Sequence, residues 1–326
     1  MKTEILKMLK DKEGYVSGQE ICEVLGVSRT AVWKGINRLK EDGYEIEAVR
    51  NKGYKLGYAQ SVFSAEEITT RLNTKWLGKK ILYKKEMDST NTQAKLLADK
   101  NDAHGMLIIA DKQTNGKGRR GRHWDSPSED NIYMSIVLKP ELNPSVAPML
   151  TLLMAFCITS VIREELRIDA KIKWPNDVVV SGKKVCGILT EMVAEIDYIN
   201  YVVIGSGINV NMENISKELS TKATSLKLEL KKHCDRVKLT AKIIEEFEKQ
   251  YELFLKKENL EEIVEQYNVW LVNADEEVAI HRDNKVVKAY AKGIIKSGEL
   301  MVIHESGEEE FIASGEVSIR GIYGYV

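Results

Sequence analysis

The first 56 residues carry short apolar runs at helical spacing, interrupted by turn residues. Ser17 with Glu20 three positions later forms a capping box, which predicts the start of a second helix after a short first one. A Gly-Val-Ser turn then leads into a third helix over residues 29–41. Two helices joined by a short glycine-containing turn are typical of the helix-turn-helix motif. Residues 44–56 predict a two-stranded wing, so residues 1–56 are predicted to form a winged helix-turn-helix domain.

The third helix of this domain carries polar side chains on its outer face. The domain holds 11 Lys and Arg against 9 Asp and Glu, a net charge of +2, so charge alone argues only weakly for nucleic acid. The motif favours DNA binding, and the alternative is a small helical domain used for protein contacts. The side chains predicted to meet phosphates and base edges are Ser28, Arg29, Thr30, Trp33, Lys34, Asn37 and Arg38.

Residues 57–64 lack any periodicity and predict a linker, and a second domain is predicted over residues 65–270. The apolar stretch MLTLLMAFCITSVI is too long for a strand and predicts a buried helix. Helices follow strands without strict alternation, so we expect an α+β domain with a mixed sheet. The predicted strands are 81–86, 107–110, 132–138, 171–174, 178–180, 185–193 and 201–205, and the predicted helices are 65–72, 92–98, 149–166 and 239–255.

Residues 271–326 change character again. Short alternating apolar runs are separated by glycine and by an Asp-Asn pair. Such spacing of short strands and turn signals is typical of a small antiparallel β-barrel. We therefore predict a third, SH3-like domain over these residues.

The composition excludes several classes of protein. With 43% hydrophobic and 30% charged residues and a net charge of −1, the chain has no overall attraction to nucleic acid or membranes. No run reaches the ~18 apolar residues of a membrane span, and no signal peptide is evident. The four cysteines are scattered without metal-site spacing. We expect a cytoplasmic protein with free thiols.

The middle domain contains a basic, glycine-rich stretch, DKQTNGKGRRGRHW, over residues 111–124. Glycine allows close backbone approach to a ligand, and Arg and Lys bind carboxylate or phosphate. Gly116, Gly118 and Gly121 match the spacing of a dinucleotide fingerprint. We reject a dinucleotide-binding site because turn residues, rather than a helix, follow these glycines. An anion-binding loop is the prediction, and a solvated basic turn is the alternative.

Three further stretches of the middle domain combine chemically useful side chains. Residues 88–91 (DSTN) lie at a predicted strand-to-helix junction, and residues 173–177 (KWPND) offer an amide and a carboxylate between two strands. Lys184 begins an apolar strand. Residues 205–211 (GSGINVN) place two glycines at a strand end, where a backbone can pack against a flat ligand.

Five stretches of the middle domain together resemble the biotin protein ligases. In chain order they are DSTN, QTNGKGRRGRHW, KWPND, the Lys184 strand ending in GIL, and GSGINVN. The N-terminal winged helix resembles that of the bifunctional members, which also repress biotin genes. The resemblance implies two steps. The biotin carboxylate attacks the α-phosphate of ATP with Mg²⁺ assistance, and a lysine of a biotin carboxyl carrier domain then attacks the resulting biotinyl-5′-adenylate. It also implies a homodimer in the adenylate-bound state and an inverted-repeat operator.

The resemblance assigns roles to residues of this chain. Lys184 and Arg119 are the expected catalytic cations, acting on developing negative charge. Asp177 is the candidate for assisting the metal or the incoming amine. The residues expected to bind biotin are Ser89, Thr90, Asn91, Gln113, Lys117, Gly118, Arg119, Lys184 and Gly187. Those expected to bind ATP or the adenylate are Lys117, Arg119, Arg122, Trp124, Lys173, Asn176, Asn209 and Arg320.

The sequence departs from the biotin protein ligase pattern at one position, and two alternative functions remain. Lys117 occupies a position where many relatives have Arg, so the charge is kept but the bidentate fork is lost. Lipoate ligases share the fold class and a KWPND-like region, although we do not expect the arginine-glycine loop or the winged helix in them. A transcription factor whose middle domain senses a ligand without catalysis is the other alternative.

Overall fold

The structure is a computed structural model that describes residues 1–57, 62–100, 102–127, 130–216, 219–282, 285–313 and 318–321. Its contacts divide the chain into two compact units. The first comprises residues 1–73 and 235–241, and the second comprises residues 74–234 and 242–326. The elements of the first unit are α1 (Lys2–Asp11), α2 (Gly18–Leu25), α3 (Arg29–Glu41), β1 (Ile46–Val49), β2 (Gly53–Leu56) and α4 (Ala65–Arg71).

The predicted helix-turn-helix is present in the first unit, with its wing. The Ser17 hydroxyl caps α2 by accepting a hydrogen bond from the Glu20 amide, and α2 ends at Gly26 in the left-handed region, with φ of 64°. β1 and β2 pair antiparallel. Gly53 has to be glycine, because a Cβ there would lie 2.1 Å from the backbone oxygen of Val16. The core is built from Ile5, Leu6, Leu9, Val16, Ile21, Val32, Ile36 and Leu39.

α4 packs with the N-terminal unit around a buried carboxylate. Glu67 is 1% exposed and forms ion pairs with Lys10 of α1 and Arg71 of α4. Tyr44 donates a hydrogen bond to the same carboxylate at 3.3 Å. A buried charge is tolerated when it is paired and hydrogen-bonded in this way. The domain boundaries drawn from the sequence stay predictions, and part of the linker, residues 58–61, lies outside the described residues.

The second unit is built on a seven-stranded sheet in the order β3-β4-β5-β9-β8-β7-β6. β3 and β4 are parallel and the other neighbours are antiparallel, which confirms the predicted mixed sheet. Its strands are β3 (Ile81–Met87), β4 (Leu107–Gln113), β5 (Ile132–Leu138), β6 (Lys171–Lys173), β7 (Asp177–Val180), β8 (Lys183–Ala194) and β9 (Ile199–Ile208).

Two helices cover this sheet. α5 (Thr90–Ala98) packs its alanines against apolar residues of β4, β5 and β9. α6 (Met149–Leu166) is buried along most of its length, as its continuous apolar run predicts. By length and composition the segment Pro144–Leu166 could cross a membrane, because an 18-residue stretch within it has a mean hydropathy of 2.0. However, 83% of this stretch is buried inside the protein. It is the core helix of the second unit.

The remaining elements are α7 (Leu226–Leu230), α8 (Arg236–Lys257), α9 (Val264–Trp270), β10 (Glu276–Arg282), β11 (Lys285–Ile294), β12 (Leu300–His304), β13 (Glu309–Ile312) and β14 (Ser318–Gly321). The last five strands form an antiparallel sheet in the order β13-β12-β11-β10-β14, in agreement with the predicted SH3-like fold. Arg320 lies in β14 opposite Ala279, and its side chain is outside the described residues.

Several elements differ in extent from the predictions. α5 begins at Thr90 rather than at residue 92, and β9 runs through Ile208 rather than ending at residue 205. Local pattern shows apolar alternation but not how far a neighbouring strand continues the pairing. The short helices α7 and α9 were not predicted, because five and seven residues carry too little periodicity.

Candidate functional site

Two rows of residues across the centre of the sheet leave space above the backbone. In the first row Gly207 of β9 pairs with Gly187 of β8, and in the second Gly205 pairs with Leu189. A Cβ on Gly207 would lie 2.4 Å from the indole nitrogen of Trp124. A Cβ on Gly205 would lie 2.0 Å from the side-chain oxygen of Asn91. The glycines therefore let these two side chains lie directly on the sheet.

The DSTN turn connects β3 to α5 at this face of the sheet. Asp88 accepts hydrogen bonds from the Ser89 amide at 2.7 Å and from the Gln93 side chain at 2.8 Å. Ser89 occupies the N-cap position of α5, but within the described residues its side chain makes no capping bond. Ser89, Thr90 and Asn91 are each less than 5% exposed. The turn thus delivers short polar side chains into a buried space.

Gln113, at the end of β4, is held between this turn and the basic loop. Its side-chain oxygen accepts from the Thr90 amide at 2.8 Å, and its side-chain nitrogen donates to Ser126 at 3.0 Å. Ser126 in turn donates to the backbone oxygen of Trp124 at 3.0 Å. These bonds fix which end of the Gln113 amide is which, so a ligand meets a prearranged neutral donor.

The basic loop folds back on itself as a tight hairpin. The Gly118 amide donates to the Arg122 carbonyl at 2.8 Å, and the Trp124 amide donates to the Gly116 carbonyl at 2.9 Å. Arg120 and Gly121 both adopt the left-handed conformation, with φ of 56° and 71°. This conformation explains the Gly at position 121 and makes Arg120 an unusual choice. The turn therefore bends the loop sharply at its tip.

Arg119 points from this loop toward the KWPND segment. Its guanidinium donates to the side-chain oxygen of Asn176 at 2.9 Å. Burial lowers the pKa of Arg119, Asp177 opposes that shift, and the neighbouring Arg120 and Arg122 add to it. Because the ordinary pKa of an arginine guanidinium lies far above neutral, the group still remains charged at neutral pH. A cation held in a partly dehydrated site interacts strongly with a developing anion.

Lys184 lies at the junction of β7, β8 and the loop. Its ammonium forms an ion pair with Asp177 at 2.6 Å and lies 5.0 Å from the centre of the Trp124 ring. The absence of a side chain at Gly187 makes room, since a Cβ there would be 2.9 Å from the Lys184 ammonium. Lys184 is thus positioned by an anion, an aromatic face and a glycine, which favours a fixed electrostatic role.

The predicted side chains line two adjoining spaces. All nine residues expected to bind biotin line a cavity of about 50 Å³: Ser89, Thr90, Asn91, Gln113, Lys117, Gly118, Arg119, Lys184 and Gly187. A cleft of about 820 Å³ is lined by six of the eight residues expected to bind ATP: Arg119, Arg122, Trp124, Lys173, Asn176 and Asn209. Lys117 lines the smaller cavity instead, and the side chain of Arg320 lies outside the described residues. The ligand roles of these residues stay predictions.

Four further residues of the site were not singled out from the sequence. Ser126 orients Gln113, and Ser135 hydrogen-bonds both Thr90 and Asn91. Glu191 accepts from Asn91 at 2.8 Å and pairs with Lys95 at 2.6 Å. A polar residue inside an otherwise apolar strand was the available signal for Ser135 and Glu191.

The predicted DNA-contacting residues lie on one helix. Ser28 caps α3 by accepting from the Ala31 amide at 3.2 Å. α3 buries Val32, Gly35, Ile36 and Leu39. The opposite side of the helix is exposed: Ser28, Arg29, Thr30, Trp33, Lys34 and Arg38, with Asn37 half-buried. This arrangement leaves the predicted side chains accessible, and their contacts with DNA stay predictions.

Sequence comparison identifies two families along the chain. Residues 83–209 match the Biotin/lipoate A/B protein ligase family, and residues 2–55 match a helix-turn-helix (HTH) domain. The chain is 44% identical over 239 residues to the Bifunctional ligase/repressor BirA of Bacillus subtilis, covering 73% of this chain and 74% of that protein. It is 29% identical to the Escherichia coli protein of that name, over 97% of this chain and 96% of the other.

Structural comparison agrees. The biotin protein ligase from Aquifex aeolicus, solved in complex with biotin and ATP, superposes with a TM-score of 0.65 at 30% sequence identity, covering 74% of this chain and 99% of that one. By sequence, the human Biotin--protein ligase is 28% identical over 77% of this chain and 36% of its own length. The chain belongs to the Biotin/lipoate A/B protein ligase family, among the bifunctional ligase/repressors of the BirA type.

Proposed function

We propose that this protein is an ATP-dependent biotin protein ligase that also represses transcription as a winged-helix DNA-binding protein. The observation that carries the ligase half is that Lys184 and Arg119 line both a small cavity, which also holds hydroxyl and amide side chains, and a large basic cleft. Relatives of this chain are named bifunctional ligase/repressor, and this chain itself matches both a ligase family and a helix-turn-helix domain.

The first step joins biotin to the nucleotide. One carboxylate oxygen of biotin attacks the α-phosphorus of ATP, the bond to the bridging oxygen breaks, and pyrophosphate leaves. Negative charge grows on the phosphate oxygens near Lys184 and Arg119, which stabilise it as fixed cations. Asp177 forms an ion pair with the Lys184 ammonium at 2.6 Å and so helps to hold it in place. Lys184 acts as an electrostatic clamp and forms no covalent bond.

The second step transfers the acyl group. A neutral lysine amine of a biotin carboxyl carrier domain attacks the carbonyl carbon of biotinyl-5′-adenylate. The bond to the phosphate oxygen breaks, AMP leaves with the electron pair, and the amine gives up a proton. Closure of the basic loop would exclude water, which otherwise hydrolyses the mixed anhydride.

The chemistry also calls for Mg²⁺ beside the phosphates. Within the described residues no group of three or more His, Cys, Asp or Glu side chains could hold a metal ion. This fits Mg²⁺, which commonly uses one or two carboxylates together with substrate phosphates and water. Asp177 is the carboxylate that lines the cleft beside Lys184 and would supply the protein ligand. The ion would neutralise charge on the triphosphate.

The nucleotide is expected in the larger cleft. The indole N–H of Trp124 is buried and finds no acceptor among the described residues. Buried donors are normally satisfied, so this one favours a bound ligand as its partner. The aromatic face at the boundary of both spaces suits a flat base or the adenylate linkage.

For the repressor half, the proposed partner is an inverted-repeat operator bound by a homodimer in the adenylate-bound state. A single winged helix with a net charge of +2 should bind DNA weakly. Two such domains at fixed spacing raise avidity without new contacts. Gel-shift titration with and without biotin plus ATP tests the linkage, and equal operator affinity in both conditions contradicts it. A cytoplasmic location stays a prediction.

Pyrophosphate release is the deciding measurement for the ligase half. We expect release that depends on both biotin and ATP, followed by incorporation of biotin into a carrier domain. Lipoate serves as the matched alternative substrate. Activity with lipoate in place of biotin indicates the lipoate-type ligase, and biotin binding without pyrophosphate release indicates a ligand-sensing transcription factor.

A further inference from the structure

Trp33 is the only aromatic residue of α3, and its side chain is 57% exposed. Arg29 and Thr30 lie one helical turn before it and Asn37 lies one turn after it, so the four side chains share one side of the helix. The residues that α3 buries in the domain core lie on a different side. Trp33 therefore projects from the side that carries the side chains predicted to contact DNA.

The positive charge of the N-terminal domain is concentrated on this helix. α3 holds four basic residues and one acidic residue, a net charge of +3, whereas residues 1–56 as a whole carry +2. An isolated apolar side chain on a protein surface means little by itself. An aromatic side chain on a strongly basic helix instead matches a partner that is an anion with apolar groups of its own. Duplex DNA is such a partner.

The base edges in the major groove offer Trp33 one kind of apolar group. The groove is wide enough to admit an α-helix, and it presents hydrogen-bond donors and acceptors together with the 5-methyl group of thymine. Thr30 and Asn37 can bond to the donors and acceptors, whereas the indole face of Trp33 can bury the methyl group. The basic side chains of α3 are suited to the phosphates. The methyl group of thymine is therefore the partner that fits the indole.

Arg29, the nearest basic residue before Trp33, is anchored to α2. Its guanidinium donates to the side-chain oxygen of Gln19 at 3.0 Å, and the side-chain nitrogen of Gln19 donates to Glu23 at 2.8 Å. The bond to Glu23 places the Gln19 oxygen toward Arg29, because a carboxylate can only accept. With Arg29 tied to α2, more than half of the Trp33 side chain stays uncovered.

We infer that Trp33 is a specificity-determining residue of the DNA-binding domain, and that its indole packs against the 5-methyl group of a thymine in each operator half-site. It distinguishes thymine from cytosine, which lacks this methyl group. Its contribution depends on the base sequence, unlike that of a lysine bound to phosphate. The inference rests on the proposed function, since it requires DNA as the partner of α3.

The first experiment locates the methyl group. Full-length protein with biotin and ATP selects its preferred duplex from a pool of randomised DNA. Each thymine of one half-site of this duplex is then replaced in turn by deoxyuridine, which removes the methyl group and keeps every donor and acceptor of the base. We expect one such replacement to weaken binding about fourfold in a gel-shift titration, the effect of one buried methyl group. Replacement of thymines outside the half-sites is the control and should change nothing.

A double-mutant cycle then assigns that methyl group to Trp33. Trp33→Ala should weaken binding of the thymine duplex by about tenfold, as for the loss of one base contact. In this variant the deoxyuridine replacement should cost almost nothing more, because the group that contacts the methyl is gone. Trp33→Phe retains an aromatic face and should keep the sensitivity to the methyl group.

Val24→Ala is the matched control. Val24 lies on α2 of the same domain and its side chain is 65% exposed, so its truncation also removes apolar surface from the exterior. The difference in affinity between the thymine and deoxyuridine duplexes should remain as in the wild type. Thermal unfolding verifies that each variant is folded, and Trp33→Gln replaces Trp33→Ala in the cycle if the latter does not fold.

Three results would overturn the inference. The same difference between the two duplexes in the wild type and in Trp33→Ala would mean that another residue contacts the methyl group. An equal loss of affinity for selected and unrelated DNA would indicate a contact with the DNA backbone. A loss of self-association in sedimentation, measured with biotin and ATP but without DNA, would indicate that the indole contacts a second copy of the protein. By contrast, failure of the wild-type protein to select any sequence overturns the proposed repressor function itself.

Discussion

The ligand cavity and the outer face of α3 present polar side chains in opposite ways. In the cavity Thr90 is 4% exposed and bonded within the protein, whereas Trp33 on α3 is 57% exposed. The cavity has its donors and acceptors fixed before a ligand arrives, which is what directional recognition and charge stabilisation require. The face of α3 depends on contacts made only with its partner. The affinity of the α3 face for DNA should therefore depend strongly on salt concentration. The affinity of the cavity for its ligand should depend instead on individual hydrogen-bonding atoms.

Removal of the fixed cation should give the largest effect. Lys184→Ala is expected to slow adenylate formation by about 10²–10³-fold, as for the loss of one prearranged charged donor. Pyrophosphate release at saturating biotin and ATP measures it. Lys183→Ala, the adjacent lysine of β8, is the matched control and should retain the wild-type rate. A Lys184→Ala protein that releases pyrophosphate normally would remove this residue from the mechanism.

Filling the space above Gly205 should displace the Asn91 side chain from its fixed position without changing any charged residue. In Gly205→Ala the added Cβ would lie 2.0 Å from the Asn91 oxygen, so the Asn91 side chain has to leave its site. We expect at least about tenfold weaker biotin binding and a loss of about 1–3 kcal/mol in the free energy of unfolding.

Calorimetry and thermal unfolding measure the two effects of Gly205→Ala. Gly18→Ala is the control, because its Cβ meets its nearest neighbour at an ordinary 3.6 Å. Full biotin affinity in Gly205→Ala would show that the position of Asn91 is unimportant for the ligand.

Loss of the loop cation should affect retention more than synthesis. Arg119→Gly removes the hydrogen bond to Asn176, and we expect the adenylate to dissociate about tenfold faster. A chase with unlabelled biotin and ATP follows release of labelled adenylate. Arg120→Gly is the control, since that residue has a φ of 56°, which glycine adopts without strain. An unchanged rate for Arg119→Gly would mean that the loop does not retain the ligand.

Where one motif supplies several side chains, the sequence predicted which of them line the cavity. Residues 88–91 and 173–177 each span the junction of two regular elements, and both contribute to the lining of the cavity. The parts that act across strands were not predictable. Ser135 and Gly205 are opposite each other in neighbouring strands, and only the register of the sheet brings them together. Register is a long-range property that local pattern does not contain.

The same limit applies to the fold. The helix-turn-helix and the mixed sheet follow from local periodicity and turn chemistry. The packing of α4 with the first unit, through Glu67 and Lys10, depends on residues 57 positions apart. The inclusion of residues 235–241 in that unit depends on a still longer separation, as in the ion pair between Arg71 and Asp235. Contacts between residues so far apart in the chain cannot be predicted from local sequence pattern and are seen only in the folded structure.

The smallest expected effect belongs to the exposed face of α3, where single contacts are diluted among many. Lys34 is exposed on α3, and Lys34→Ala is expected to remove one phosphate contact from each domain of the bound dimer. Each lost contact should make the log–log salt dependence of affinity shallower by about 0.9. Operator and unrelated DNA should weaken alike, because a phosphate contact carries no sequence information. Titrations with biotin and ATP present, across a range of salt concentrations, measure the slope. Lys7→Ala on α1 is the control for charge, and its slope should equal that of the wild type. A loss of affinity confined to the operator would instead mean that Lys34 reads a base edge, and the face of α3 would then resemble the cavity in using directed bonds.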